Sequence, residues 1–248
     1  MSDNKQVNSG LNAEEIVAAL RVVIADFHDR PTHPVQGKGG KTFAFFPTSI
    51  TDNIPPLHPR LSEAVRLLSQ LHIAQAQSVT LGVGEEDRGA MIISDILLHY
   101  GLPRTLARWT PTGAPGEIAV PLSNEYIEGG VQVFLNGVQA SDRILLVDDL
   151  ISTGGTMVAL IQAIQKANAE IIEVFTIGEK SENRGREFVL AETGLHVKTL
   201  LVTDLEERNG SVFSKVVRCH LGSLERAIFE EVANCFPEGF CKLGSGEI

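Results

Sequence analysis

Asp148 and Asp149 stand side by side at the end of the apolar run Ile144-Leu145-Leu146-Val147, and Leu150-Ile151-Ser152-Thr153-Gly154-Gly155-Thr156 follows them. Residues of these types in this order suit a phosphorylated sugar. Paired carboxylates accept hydrogen bonds from vicinal hydroxyls. A turn of small hydroxyl and glycine residues lets backbone N–H groups close around an anion without Cβ clashes. A helix opening at the glycines adds free N–H groups and a dipole that favour phosphate. Each charge-assisted hydrogen bond there contributes about 1.5–3 kcal/mol. No Lys follows the glycines, so the run is not a Walker loop, and it lacks the three-glycine dinucleotide fingerprint.

Other stretches carry chemistry more ambiguously. Val83-Gly84-Glu85-Glu86-Asp87-Arg88-Gly89-Ala90 is a second glycine-bearing turn, and Arg88 offers a forked guanidinium to a diphosphate. Its three acids oppose that anion unless Arg88 or Mg²⁺ offsets them; an ordinary solvated surface turn is the bland alternative. In Phe45-Phe46-Pro47-Thr48-Ser49-Ile50-Thr51-Asp52-Asn53-Ile54-Pro55-Pro56-Leu57, a planar base can stack on Phe45 or Phe46, unless both rings are core. Cys219, Cys235 and Cys241 lack the paired spacing of strong zinc motifs.

The 144–156 stretch resembles the phosphoribosyl pyrophosphate (PRPP) motif of the type I phosphoribosyltransferases: four apolar residues, two acids, two variable residues, then Ser-Thr-Gly-Gly-Thr. The resemblance implies that Asp148 and Asp149 address the ribose hydroxyls, and that Ser152, Thr153, Gly154, Gly155 and Thr156 cradle the 5′-phosphate. It further implies a diphosphate loop at Arg88-Gly89, as in the adenine enzymes, and a flap over 111–130. Arg108-Trp109, Ala114-Pro115-Gly116-Glu117 and Asn124-Glu125-Tyr126 look like parts of that flap, and Arg108 joins Arg88 on the diphosphate. Glu125 precedes Asp148 by 148 − 125 = 23 residues, a separation that agrees with the family, and takes the role of the flap carboxylate near the reacting base. Trp109 departs from the pattern, because the family usually has Lys there. The likeness spans roughly 43–205, and Asn136-Gly137 with Thr193-Gly194 point to the archaeal hypoxanthine/guanine subgroup.

These residues need strands that end at the site and helices that start there. Asn12 and Glu15 form a candidate capping box for an amphipathic helix over 13–28. A breaker-rich loop over 31–40, a short strand at 43–46, a turn-rich 48–59 and a helix over 59–74 follow. Strands are expected at 78–83, 104–110, 131–135, 143–148, 170–177 and 196–202, and helices at 88–100, 155–168 and 184–193. Asn136-Gly137 reads as a hairpin turn. Strands alternating with helices predict an α/β fold with a parallel sheet, and ligands at its carboxyl edge. The resemblance sets the sheet at about five strands, flanked by helices under a small hood. The expected organisation is an N-terminal extension over 1–42, the phosphoribosyltransferase domain over 43–215 and a C-terminal extension over 216–248. In the last, Leu224, Ile228, Val232 and Phe236 keep helical spacing.

Composition narrows the classes. Lys+Arg 21 against Asp+Glu 31 gives a formal charge of −10, against a general nucleic-acid binder. No apolar run is long enough to span a bilayer, the first ten residues are unlike a signal peptide, and the three cysteines cannot all pair within one chain. A reduced, cytoplasmic protein is expected. The leading reading is a purine phosphoribosyltransferase that takes a free base, PRPP and Mg²⁺, without direct metal ligands from the chain, and works as a homodimer. The alternatives are a PRPP- or nucleotide-sensing regulator on the same fold and an enzyme for a non-purine base. Glu125 separates enzyme from sensor.

Overall fold

The computed structural model describes residues 10–36, 42–122, 131–244 and 246. Helix α1, Ala13–Phe27, begins at the expected capping box: Glu15 N–H donates to Asn12 Oδ1 and Asn12 N–H to Glu15 Oε2, both at 3.0 Å. Its apolar stripe, Ile16, Leu20, Val23 and Phe27, is fully buried. The chain then forms the hairpin β1 (His33–Gln36) and β2 (Thr42–Phe45), which stands as a small hood. A short helix α2, Ser49–Asp52, interrupts the turn-rich stretch. Its first N–H groups, from Ser49 and Ile50, donate to the buried Asp26 carboxylate of α1 at 3.0 and 3.1 Å. Helix α3 is Pro59–Ser69, shorter than the expected span, and a 3₁₀ turn at Ala76–Ser78 delays the next strand.

The main sheet then assembles from β3 (Leu81–Glu85), β4 (Arg104–Ala107), β7 (Arg143–Ile151), β8 (Glu170–Lys180), β9 (Lys198–Arg208), β10 (Ser211–His220) and β11 (Cys241–Lys242). Helix α4, Ala90–His99, links β3 to β4; α5, Gly155–Lys166, links β7 to β8; α6, Gly185–Thr193, links β8 to β9; α7, Arg226–Ala233, links β10 to β11. A separate hairpin, β5 (Ile118–Pro121) and β6 (Gln132–Leu135), lies between β4 and β7 in the chain. The strand order is β11-β10-β9-β8-β7-β3-β4. The stretch β4-β3-β7-β8-β9 is the expected parallel array; β10 extends it antiparallel and β11 closes the edge beside β10.

The central strand β7 explains why its sequence is a continuous apolar run. Leu145 and Val147 face a core shared with α1, α3, α4 and α7, while Ile144 and Leu146 face one shared with α5, α6 and the β5–β6 hairpin. A strand covered on both sides has no polar face to alternate with. The hairpin signal at Asn136-Gly137 joins no hairpin, because β6 and β7 belong to different sheets. Asn209 and Gly210 do the job instead. Both have positive φ, 54° and 77°, and they link Arg208 to its cross-strand partner Ser211.

Candidate active site

A cavity of about 640 Å³ opens at the carboxyl ends of β3, β7 and β8. Parallel strands in register bring different chain segments to one level there: Val83 pairs with Leu146, and Asp148 with Thr176. Asp148 and Asp149 line the cavity and are only 6% and 8% exposed. The Asp149 N–H donates to Asp148 Oδ1 at 2.9 Å, and Leu150 N–H to Asp149 Oδ1 at 2.5 Å. Burial pushes the Asp148 carboxyl up to about 6, with Asp87 adding repulsion. Asp149 is raised well above its ordinary range by burial and by Asp148. Glu85, the last residue of β3, lines the same wall. Burial, then Asp148, Asp149 and Asp87, push it up to about 9, and its Oε2 has no hydrogen-bond partner.

Ser152, Thr153, Gly154, Gly155 and Thr156 wrap the adjoining wall, and no side chain caps the start of α5. That leaves N–H groups free to meet an anion. Gly154 has φ 83°, and a Cβ there would lie 2.5 Å from the Gly185 carbonyl. A Cβ on Gly185 would collide in turn with the Ser152 carbonyl, so the start of α6 packs directly behind the loop. Asn183 Nδ2 holds Ser152 Oγ at 2.9 Å.

Arg88 reaches the cavity from the second turn. Its guanidinium lies 4.7 Å from the centre of the Phe45 ring, and Nε is 3.6 Å from Asp52 and 3.9 Å from Asp87. Gly89 starts α4 where a Cβ would come within 2.6 Å of the Asp149 carboxylate. The glycine there makes room for the acid pair.

Phe46 and Arg108 are not among the residues that line the cavity. Phe45 lines the cavity, but Phe46, just past the end of β2, is 1% exposed and packed in the core. Arg108 pairs with Glu86 at 3.3 Å and bridges to Phe134 through its backbone, and is not among the lining residues. Its neighbour Trp109 is. Glu125 lies outside the described residues.

Lys180 is a cavity residue that the sequence reading missed. It ends β8, lines the cavity and is 6% exposed; its Nζ donates to the Ala44 carbonyl at 3.1 Å and lies 4.6 Å from the Phe46 ring centre. Burial lowers its pKa. Its signal was position: a cation closing the strand beside the acid pair, at the edge where α/β sheets bind ligands.

The cavity thus holds four carboxylates, Glu85, Asp87, Asp148 and Asp149, against Arg88 and Lys180. Among the described residues no group of three His, Cys, Asp or Glu side chains is arranged to hold a metal ion. This donor set fits a divalent cation that arrives on a diphosphate and keeps phosphate and water ligands, rather than one caged by protein.

Comparison with known proteins agrees with this geometry. The phosphoribosyl transferase domain matches residues 53–193. The hypoxanthine/guanine phosphoribosyltransferase of Methanotorris igneus is 33% identical over 167 residues, covering 66% of this chain and 87% of that protein. Its counterpart in Methanocaldococcus jannaschii is 33% identical over 165 residues, covering 66% and 86%. Among solved structures, adenine phosphoribosyltransferase from Rhodothermus marinus superposes with a TM-score of 0.56 at 23% identity, covering 73% of this chain and 97% of that one. The Leishmania donovani adenine enzyme gives 0.59 at 20% identity, covering 75% and 80%. With a family match over residues 53–193 and relatives 33% identical, the chain belongs to the phosphoribosyl transferase family.

Proposed function

We propose that the protein is a purine phosphoribosyltransferase of base salvage, which joins a free purine to PRPP and releases a nucleoside 5′-monophosphate and diphosphate. One observation carries the reading: the acid pair, the uncapped phosphate loop, Arg88, Phe45 and Lys180 all face one cavity. In this reading the loop at 152–156 and the start of α5 hold the 5′-phosphate. Asp148 and Asp149 accept bonds from the ribose hydroxyls, and Arg88 takes diphosphate oxygens. As the purine nitrogen bonds to C1 and the C1–oxygen bond breaks, positive charge grows on the ribose, and the nearby carboxylates stabilise it. Bound magnesium supplies charge neutralisation to the diphosphate. The enzyme works in the cytoplasm as a homodimer.

Phe45 provides a ring for the base to stack on. Lys180 offers a donor at that wall, which suits the carbonyl of a 6-oxopurine better than the amino group of adenine. The named relatives, both hypoxanthine/guanine enzymes, support the same preference.

The test is diphosphate release from PRPP and Mg²⁺ with hypoxanthine, guanine, adenine, xanthine and uracil offered separately. Hypoxanthine and guanine are expected to drive release, with adenine at least about tenfold slower, the scale of one lost polar contact. Trp109, the chain's single tryptophan, lines the cavity, so its fluorescence reports PRPP binding in parallel. PRPP binding without release by any base overturns the enzymatic reading.

A further inference from the structure

On the sheet edge far from the acid pair in sequence, Cys219 of β10 and Cys241 of β11 are direct partners in the parallel ladder. Their Sγ atoms lie 3.3 Å apart, and both residues are buried, while Cys235 is exposed. Neighbouring strands run about 4.8 Å apart, within the roughly 4.4–6.8 Å between Cα atoms that a disulfide spans. We propose that Cys219 and Cys241 are an oxidation site, forming an intrachain disulfide that fastens the C-terminal strand to the sheet.

The strand they would fasten is slight. β11 has two residues, held by Cys219 N–H to the Phe240 carbonyl at 3.0 Å and Leu221 N–H to the Lys242 carbonyl at 2.9 Å; Gly222 and Gly244 continue the contact beyond. Local opening of so short an edge strand admits a small oxidant without unfolding the protein. The Cys219 thiol donates to Cys241, which lowers the Cys241 pKa and marks Cys241 as the attacking sulfur. Its thiolate displaces one thiolate from a low-molecular-weight disulfide, giving a mixed disulfide. Cys219, losing its proton, then attacks the Cys241 sulfur and expels the second thiolate. Two protein thiols are oxidised, the small disulfide is reduced to two thiols, and both protein protons end on them.

The fastened segment reaches the catalytic end. Beyond β11, the Gly246 carbonyl accepts from Arg186 Nη1, and Arg186 is locked to Glu179 at 2.6 Å with both side chains nearly buried. Arg186 follows Gly185, the residue against the Ser152 carbonyl. The disulfide therefore anchors a strap that braces the helix behind the phosphate loop.

Full-length Cys235→Ser protein, incubated folded with oxidised glutathione at pH 8, provides the test. The expected product is a chain not cross-linked to another and lighter by two hydrogen atoms, in which a non-reducing peptide map joins the Cys219 and Cys241 peptides. Its thermal midpoint should rise by several degrees, reversed by dithiothreitol, because the link closes a 22-residue separation. Adding Cys241→Ser should abolish both the mass change and the gain. Recovery of both thiols by alkylation after unfolding, a glutathione adduct that never resolves, or a link between two chains overturns the proposal.

Discussion

Asp149 rests against a backbone glycine, beside Asp148 and Glu85, so three acids share one buried wall. In the unfolded chain each ionises in the ordinary range of about 4. Folded, Asp148 holds its proton to about 6 and Glu85 to about 9. The stability tied to these groups is whole below pH about 4 and is lost as the pH rises through 6 towards 9. Glu85→Gln should therefore raise the thermal midpoint at pH 9 by several degrees, with the gain fading by pH 5 in the same calorimetric series. The proposed catalysis makes the opposite demand, since it is ionised carboxylates that would accept the ribose hydroxyls. The pair should give kcat/KM an acid limb with an apparent pKa near 6. Asp148→Asn with Asp149→Asn should cut turnover by about 10²-fold or more, with an unchanged circular dichroism spectrum. Wild-type PRPP affinity in that variant would remove the acid pair from the site.

The element most exposed to a small change is the junction of α6 with the 152–156 loop. Gly185→Ala puts a methyl into the Ser152 carbonyl, so the loop and the start of α6 must shift apart. PRPP affinity, read by Trp109 fluorescence, should fall about tenfold, or about 1.4 kcal/mol. Nothing in a single segment announces this contact, since Gly185 and Ser152 meet only after β8 has paired with β7. The acid pair and its loop were legible because strand, carboxylates, turn and helix are contiguous. Lys180 was not, because it reaches the cavity from the next strand. Phe46 and Arg108 do not line the cavity while their neighbours Phe45 and Trp109 do, and composition cannot say which of two neighbouring residues faces it. Two identical Asn-Gly pairs show the same limit. Only the one at 209–210 has strands that pair across it, and it creates β10, which the periodicity did not reveal.

At the scale of the whole molecule, acid should loosen the fold through two buried imidazoles. His72, packed 5.3 Å from the Phe175 ring, has an unpartnered Nδ1, and burial holds its pKa down to about 3; His220 is held to about 4 by burial and by Arg186. The unfolded chain protonates both from pH about 6.5 downward. Their contribution is complete above that pH and drains away as the pH falls towards 4. A plot of thermal midpoint against pH between 6.5 and 4 should be flatter for His72→Gln than for wild type. The N-terminal helix has a consequence of another kind. Its core stripe is wholly covered by α3, α7 and β10, yet it lies outside the matched domain at 53–193. A 15-residue helix is marginal alone in water. A chain starting at residue 31 should open an apolar trench, and a synthetic peptide of residues 10–30 should refill it. The protein would then behave as two fragments that complement each other, with salvage activity returning in proportion to added peptide.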